Sequence, residues 1–148
     1  MMHSRLDHVR HIEVSWGDCD AAAIVFYARY YAWFDAGTHA MLESVGLDHR
    51  TLQQVFAVVG LPLVGASATF HAPATYGDRL QAHTSVSELG RSRVVVEHVL
   101  QRGTTVVARG TETRVWASRH PEDPSRLSTT SIPLEVRELL QGRKRAIA

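Results

Sequence analysis

The sequence predicts an α+β domain in which one long apolar helix is laid on a curved antiparallel sheet. Three observations predict it. Apolar residues recur at three- and four-residue steps through one stretch near the amino terminus, a single β-type run precedes that stretch, and four more β-type runs follow it with short turns between most of them. The length of 148 residues suits one compact domain, expected over residues 1–141, with 142–148 as a basic tail.

Taken in order, Val9 to Ser15 sets Val9, Ile12 and Val14 against His11, Glu13 and Ser15, and Gly17-Asp18 punctuates its end, so a first strand is expected. From Phe26 to Val45 the period changes. Tyr30, Phe34, Gly37, Met41 and Val45 make a helical stripe that Tyr27, Tyr31, Trp33 and Leu42 widen, and Gly46 reads as its C-cap. Asp48 to Gln54 reads as a polar connection, and Ala57 to Phe70 as a long strand bent early by Gly60 and Pro62. Tyr76-Gly77-Asp78 is a turn, Leu80 to Leu89 and Val94 to Gln101 are strands, Gly103-Thr104 is a hairpin turn, and Val106 to Ala117 is the last strand. Consecutive strands with short links predict an antiparallel meander. His120 to Ser131 reads as a loop, Pro133 opens a short helix to Leu140, and Arg143 to Arg145 mark the tail.

With 45% hydrophobic and 21% charged residues the composition is that of a folded chain rather than a disordered one. A net charge of +1 supplies no field for nucleic acid or an anionic membrane, so neither is an expected partner. Cys19 is the only cysteine, which excludes an intrachain disulfide and zinc sites built on paired cysteines. A reducing cytoplasm fits, and no stretch approaches the roughly 20 apolar residues that cross a bilayer as a helix. The aromatic stripe Tyr30, Tyr31, Trp33 and Phe34 on a helix that one sheet covers from one side predicts self-association, as a dimer or a dimer of dimers.

No Gly-x-Ser-x-Gly elbow, His-Glu-x-x-His, phosphate-cradling glycine loop or dinucleotide fingerprint is present. The densest polar constellation is Trp16-Gly17-Asp18-Cys19-Asp20, between the first strand and the helix. Two carboxylates there suit acid or base chemistry, metal ligation with further ligands, or simple helix capping. The amino-terminal N–H groups of the following helix, with their positive dipole end, suit a developing oxyanion. Cys19 is a poor nucleophile candidate, because the two acidic residues beside it disfavour the reactive thiolate.

Val14-Ser-Trp-Gly-Asp-Cys-Asp20, Ala21-Ala-Ala-Ile-Val-Phe-Tyr27, Tyr30 and Trp33-Phe34-Asp35-Ala36 together resemble the amino-terminal signature of the 4-hydroxybenzoyl-CoA thioesterase family of hot-dog proteins. The resemblance is tight over about the first 46 residues and follows the strand order to Ala117. It implies a long helix wrapped by an antiparallel sheet, active sites at a dimer interface, and hydrolysis of an aryl or short-chain acyl-CoA thioester without cofactor or metal. It implies Asp20 as the catalytic carboxylate, nucleophile or general base, and the Tyr27 backbone N–H as the oxyanion donor. Asp35 falls where the benzoyl-specific branch accepts a hydrogen bond from the substrate's ring hydroxyl across the interface; an Asp on an apolar helix also needs some partner of its own.

The chain departs from the pattern in four places, one of them near His49 and Arg50, where the aromatic residue expected after the helix is replaced. Ala21-Ala22-Ala23 replaces the usual Pro-Ala-Gly, so the loop lacks the glycine expected there. The segment lining the acyl pocket reads Gly60-Leu61-Pro62-Leu63, without the Thr that precedes Pro in the benzoyl-specific branch. The cations that meet the CoA phosphates are thinned to Arg91 and Arg93 around Ser92, which otherwise read as solvated strand charges. Two other readings stand beside the thioesterase: a hot-dog dehydratase, which needs a histidine poised with an acid where Asp18 to Tyr27 has none, and a non-catalytic acyl-CoA-binding protein.

Overall fold

A computed structural model describes residues 5–143. Most of the expected basic tail, residues 144–148, lies outside the described residues. Strand β1 (Asp7–Glu13) leads through a short 3-10 turn at Trp16–Asp18 into helix α1 (Tyr27–Glu43), and helix α2 (His49–Phe56) follows. The sheet continues with β2 (Leu63–Phe70), β3 (Arg79–Leu89), β4 (Arg93–Arg102) and β5 (Thr105–Val115), after which β6 (Ala117–Arg119), β7 (Leu127–Thr129) and α3 (Leu134–Leu140) close the chain.

Five strands form one antiparallel sheet in the order β1-β3-β4-β5-β2, and β6 pairs with β7 apart from it. Alternation aims Leu80, Ala82, Thr84 and Val86 of β3 inward with Val94, Val96, His98 and Leu100 of β4, all buried. Helix α1 lies across that face with Tyr30, Phe34, Gly37, Thr38, Met41 and Leu42 buried, the three- and four-residue spacing of an amphipathic helix. Two glycines bring helix and sheet together: a Cβ on Gly37 would stand 2.7 Å from Thr84 Oγ1, and one on Gly110 only 2.4 Å from the Phe34 ring. The Phe34 ring stacks on His98 with centroids 4.9 Å apart.

The core divides along α1. Toward its amino-terminal end Val14, Val25, Tyr30 and Phe34 pack with Leu80, Leu100 and Val107. Toward its carboxyl end Met41, Leu42 and Val45 pack with Leu52 of α2, Trp116, and Val136, Leu139 and Leu140 of α3. Each such large apolar side chain contributes about 1.5–3 kcal/mol on burial.

Several elements differ from the sequence-based expectation. The stretch at Asp48–Gln54, read as a polar connection, begins helix α2; Asp48 caps it by accepting from Thr51 N–H at 2.7 Å, and only Leu52 is buried, so its apolar signal is faint. The long strand expected from Ala57 begins only at Leu63, because Ala57 ends α2 in the left-handed region (φ 56°) and Gly60 takes φ 126°, which an L side chain disfavours. Helix α1 stops at Glu43, with Ser44 as its C-cap and Gly46 (φ 84°) two residues further on. The expected loop at 120–131 contains β7. The meander holds for β3-β4-β5, but β2 pairs with β5 rather than β3. Tyr30 and Phe34, expected to need a partner chain, are buried within the subunit; the exposed aromatics near α1 include Trp16, Phe26, Tyr27 and Phe70, whose ring centroid lies 5.0 Å from that of Tyr30.

Candidate active site

The loop between β1 and α1 is folded back on itself. Asp20 N–H donates to Ile24 O at 2.9 Å, Ala23 N–H to Asp20 O at 2.9 Å, and Phe26 N–H to Asp18 O at 2.9 Å. This lays the exposed Asp20 beside the first turn of α1, whose leading N–H groups have no acceptor within the helix. A cavity of about 390 Å³ opens there, lined by Asp20, Tyr27, Tyr30, Phe70, His71 and Pro73 among others. Burial pushes the Tyr30 hydroxyl pKa above its ordinary value, so Tyr30 presents a neutral O–H.

The two motif carboxylates have different environments. One oxygen of Asp18 accepts from Ser15 N–H at 2.8 Å, and the other lies 3.5 Å from Arg29 Nε, so Asp18 braces the loop. Asp20 accepts from Ala22 N–H at 2.8 Å through Oδ1, and its Oδ2 has no protein donor among the described residues. Cys19 Sγ lies 3.8 Å from Ser15 O and does not line the cavity. A carboxylate with one unengaged oxygen beside a helix amino terminus is an arrangement for acyl transfer.

The other residues nominated by the sequence lie elsewhere in the subunit. Leu61 and Pro62 line a second cavity of about 430 Å³ with His39, Leu52 and Arg114. Leu63 does not line it; it begins the edge strand β2 and is exposed. Asp35 sits two helical turns past Tyr27, about 12 Å along α1 at 1.5 Å per residue, and is bonded by Arg114 Nη2 at 2.7 Å. Arg91 and Arg93 are exposed at the β3-β4 turn, where Gly90 N–H donates to Arg93 O and Arg137 donates to Gly90 O at 2.7 Å. Half-buried Ser92 accepts from Trp116 N–H through its carbonyl.

Sequence reasoning missed a buried polar network beneath Asp35. Glu112 accepts from Thr38 Oγ1, from His98 Nε2 at 2.9 Å and from Arg114 Nη2 at 2.7 Å, while Thr84 Oγ1 lies 3.0 Å from His98 Nδ1. The Nε2–H tautomer, with Thr84 donating to Nδ1, satisfies both ring nitrogens of a neutral His98. Burial alone would raise the Glu112 pKa; hydrogen bonds from His98, Arg114 and Thr38 and the charge of Arg114 outweigh it and hold the carboxyl at about 2. Arg114 is raised above its already high value by Glu112 and Asp35 against the opposing effect of burial. Glu112-x-Arg114 on a strand, where i and i+2 share a face, was the available signal, but strand charges are ordinarily solvated. His71, which belongs to no motif in the sequence, also lines the cavity of Asp20.

A long helix on an antiparallel sheet, preceded by a carboxylate loop at its amino terminus, defines a hot-dog protein of the thioesterase type. Residues 14–140 match the family model described as Thioesterase-like superfamily. The chain is 33% identical over 132 residues to the 4-hydroxybenzoyl-CoA thioesterase of Pseudomonas sp. strain CBS-3, covering 85% of this chain and 92% of that protein. The solved structure of that thioesterase superposes with a TM-score of 0.83 at 32% identity, covering 92% of this chain and 99% of that one. A gentisyl-coenzyme A thioesterase structure superposes with a TM-score of 0.76 at 36% identity, covering 88% and 99%. The 1,4-dihydroxy-2-naphthoyl-CoA hydrolase of Synechococcus elongatus is 30% identical over 95 residues, 64% of this chain and 70% of that protein. The chain belongs to the Thioesterase-like superfamily, with the hot-dog fold.

Ala23 occupies the position where glycine was expected and adopts φ 64° there. An L-residue in that region costs about 1–2 kcal/mol. Ala23→Gly is expected to relieve part of that strain, offset by the extra freedom of glycine in the unfolded chain, for a net gain of about 0.5–1 kcal/mol. Urea unfolding checks it: the midpoint rises in the variant with an unchanged slope.

Proposed function

We propose that the protein hydrolyses an acyl-CoA thioester whose acyl group is aryl or short-chain, releasing the free acid and CoA. The observation that supports this most directly is the meeting of the Asp20 carboxylate and the amino terminus of α1, beginning at Tyr27, in one cavity. The Tyr27 N–H holds the thioester oxygen, and the helix dipole stabilises the charge that grows on it. Asp20 either attacks the carbonyl carbon, forming an anhydride that water then hydrolyses, or takes a proton from the attacking water. In both routes the C–S bond breaks and the electron pair leaves with the CoA thiolate. The relatives named for 4-hydroxybenzoyl-, gentisyl- and dihydroxynaphthoyl-CoA all act on hydroxylated aryl esters, which favours that acyl class here.

The active unit in this reading is a cytoplasmic dimer or dimer of dimers of one hot-dog domain over residues 1–141. Asp35 and the Leu61-Pro62 cavity of the same subunit lie too far along α1 for a benzoyl group bound at Tyr27, so the partner subunit supplies the acyl end. The exposed edge strand β2, with Leu63, Val64 and Phe70, and the exposed Phe26 and Tyr27 provide the apolar surface for pairing. At the other end the exposed Arg91 and Arg93, with Ser92 between them, meet the CoA phosphates; neither guanidinium has a protein acceptor among the described residues.

Asp20→Asn keeps the loop's hydrogen-bonding shape and removes the charge. Loss of general-base help alone is expected to lower kcat about a hundred- to ten-thousand-fold in steady-state assays with aryl-CoA esters, with folding and oligomer retained. Asp18→Asn, which bears on the loop brace, is expected to be far milder; a fully active Asp20→Asn enzyme would leave the motif as a structural turn. Replacing Arg91 and Arg93 together by Ala is expected to raise KM more than it lowers kcat, because contacts remote from the reacting bond act as uniform binding. An unchanged KM would return both arginines to the solvated surface. Sedimentation is expected to show at least a dimer at micromolar concentration, and a stable 16.4 kDa monomer would remove the two-subunit site.

A further inference from the structure

The donors of Arg114 are divided among three parts of the molecule. Nε donates to Glu112 Oε1 at 3.3 Å and Nη2 to Glu112 Oε2 at 2.7 Å, both within β5. Nη1 donates to Leu61 O at 3.0 Å, in the segment before β2, and Nη2 also donates to Asp35 Oδ1 at 2.7 Å, on α1. The two carboxylate partners stand in opposite conditions. The Glu112 side chain is 3% exposed and needs a cation. The Asp35 side chain is 57% exposed, against 4% for Arg114, so water would solvate it, and Glu112 already neutralises the guanidinium. The bond to Asp35 therefore fixes a position rather than satisfying a buried charge. His39 Nε2, 3.4 Å away, approaches the same Oδ1, and Oδ2 has no protein donor among the described residues.

We infer that Arg114 is a positioning residue: one buried guanidinium, anchored on Glu112, holds the Asp35 carboxylate and the Leu61 carbonyl in a fixed relation, and so builds the acyl end of the site. Arg114, Leu61 and Pro62 share the walls of one cavity of about 430 Å³, and Asp35 reaches its Arg114 and His39 walls. The free oxygen of Asp35 then accepts from a hydroxyl on the acyl group. A planar fork is needed for this, since a lysine ammonium at the same place has neither the span nor the fixed angles to serve three partners at once. This inference rests on the thioesterase reading above.

The test compares kcat/KM for 4-hydroxybenzoyl-CoA and benzoyl-CoA in the full chain. Wild type is expected to favour the hydroxylated ester by tenfold or more, the effect of one hydrogen bond to a charged acceptor. Asp35→Asn, Arg114→Lys and Arg114→Gln are each expected to bring that ratio to within about threefold of one, largely through the hydroxylated ester. Arg114→Gln made in the Asp35→Asn background is expected to change the ratio no further, since Arg114 acts through Asp35. If Arg114→Gln leaves Glu112 charged and unpaired and does not fold, the neutral pair Glu112→Gln with Arg114→Gln takes its place. General loosening lowers both esters alike and leaves the ratio unmoved. A folded Arg114 variant with the wild-type ratio, or losses that add in the double variant, would overturn the inference. Wild type that turns over both esters equally would overturn it while sparing the thioesterase reading, and wild type inactive on every acyl-CoA would remove that reading too.

Discussion

The buried carboxylate of Glu112 is the constraint around which the rest of the structure is arranged. It is buried, and its partners come from α1 through Thr38, from β4 through His98 and from β5 through Arg114. Leaving one such charge unpaired in a core costs about 3–5 kcal/mol, so helix and sheet must meet in one register to satisfy it. Gly37 and Gly110 make the close approach possible by having no Cβ where Thr84 and Phe34 stand. Apolar packing alone tolerates sliding and repacking; a hydrogen-bonded charge does not.

That register positions both ends of the proposed site. At its amino terminus α1 begins at Tyr27, beside Asp20 in one cavity. Two turns on, the same helix places Asp35 against Arg114. The two ends are thus spaced by one rigid helix, and the cavity at each end is completed from a different part of the sheet: Phe70 and His71 at one, Leu61 and Pro62 at the other. A single subunit sets the two halves of the proposed site apart along α1, which is why self-association belongs to the functional reading.

The signature loop shows how chemistry and local structure share residues. Asp18 and Asp20 are equivalent by type and near in sequence, yet Asp18 is occupied by Ser15 N–H and Arg29, while Asp20 keeps one oxygen without a protein donor among the described residues. Ala23 in the left-handed region shows that the loop keeps its geometry even without the glycine that suits it. Strain held in place by neighbouring hydrogen bonds is a common property of functional loops.

The sequence by itself determined the α+β class, the long helix, the β3-β4-β5 meander and the place of Asp20 ahead of the helix, because each is written in local periodicity or in a contiguous motif. It was silent on α2, where polar residues cover a helix that buries only Leu52, and on β7, too short for its period to register. Only the tertiary structure decided that β2 lies beside β5, that Tyr30 and Phe34 are buried within the subunit, and that His71 lines the cavity of Asp20. It alone also joined Asp35, Leu61, His98, Glu112 and Arg114, which are up to 79 residues apart between Asp35 and Arg114. Local pattern specifies which face of an element is apolar, but a charge within such a face is read as an error or as a surface residue until its partner, brought from elsewhere in the chain, is seen beside it.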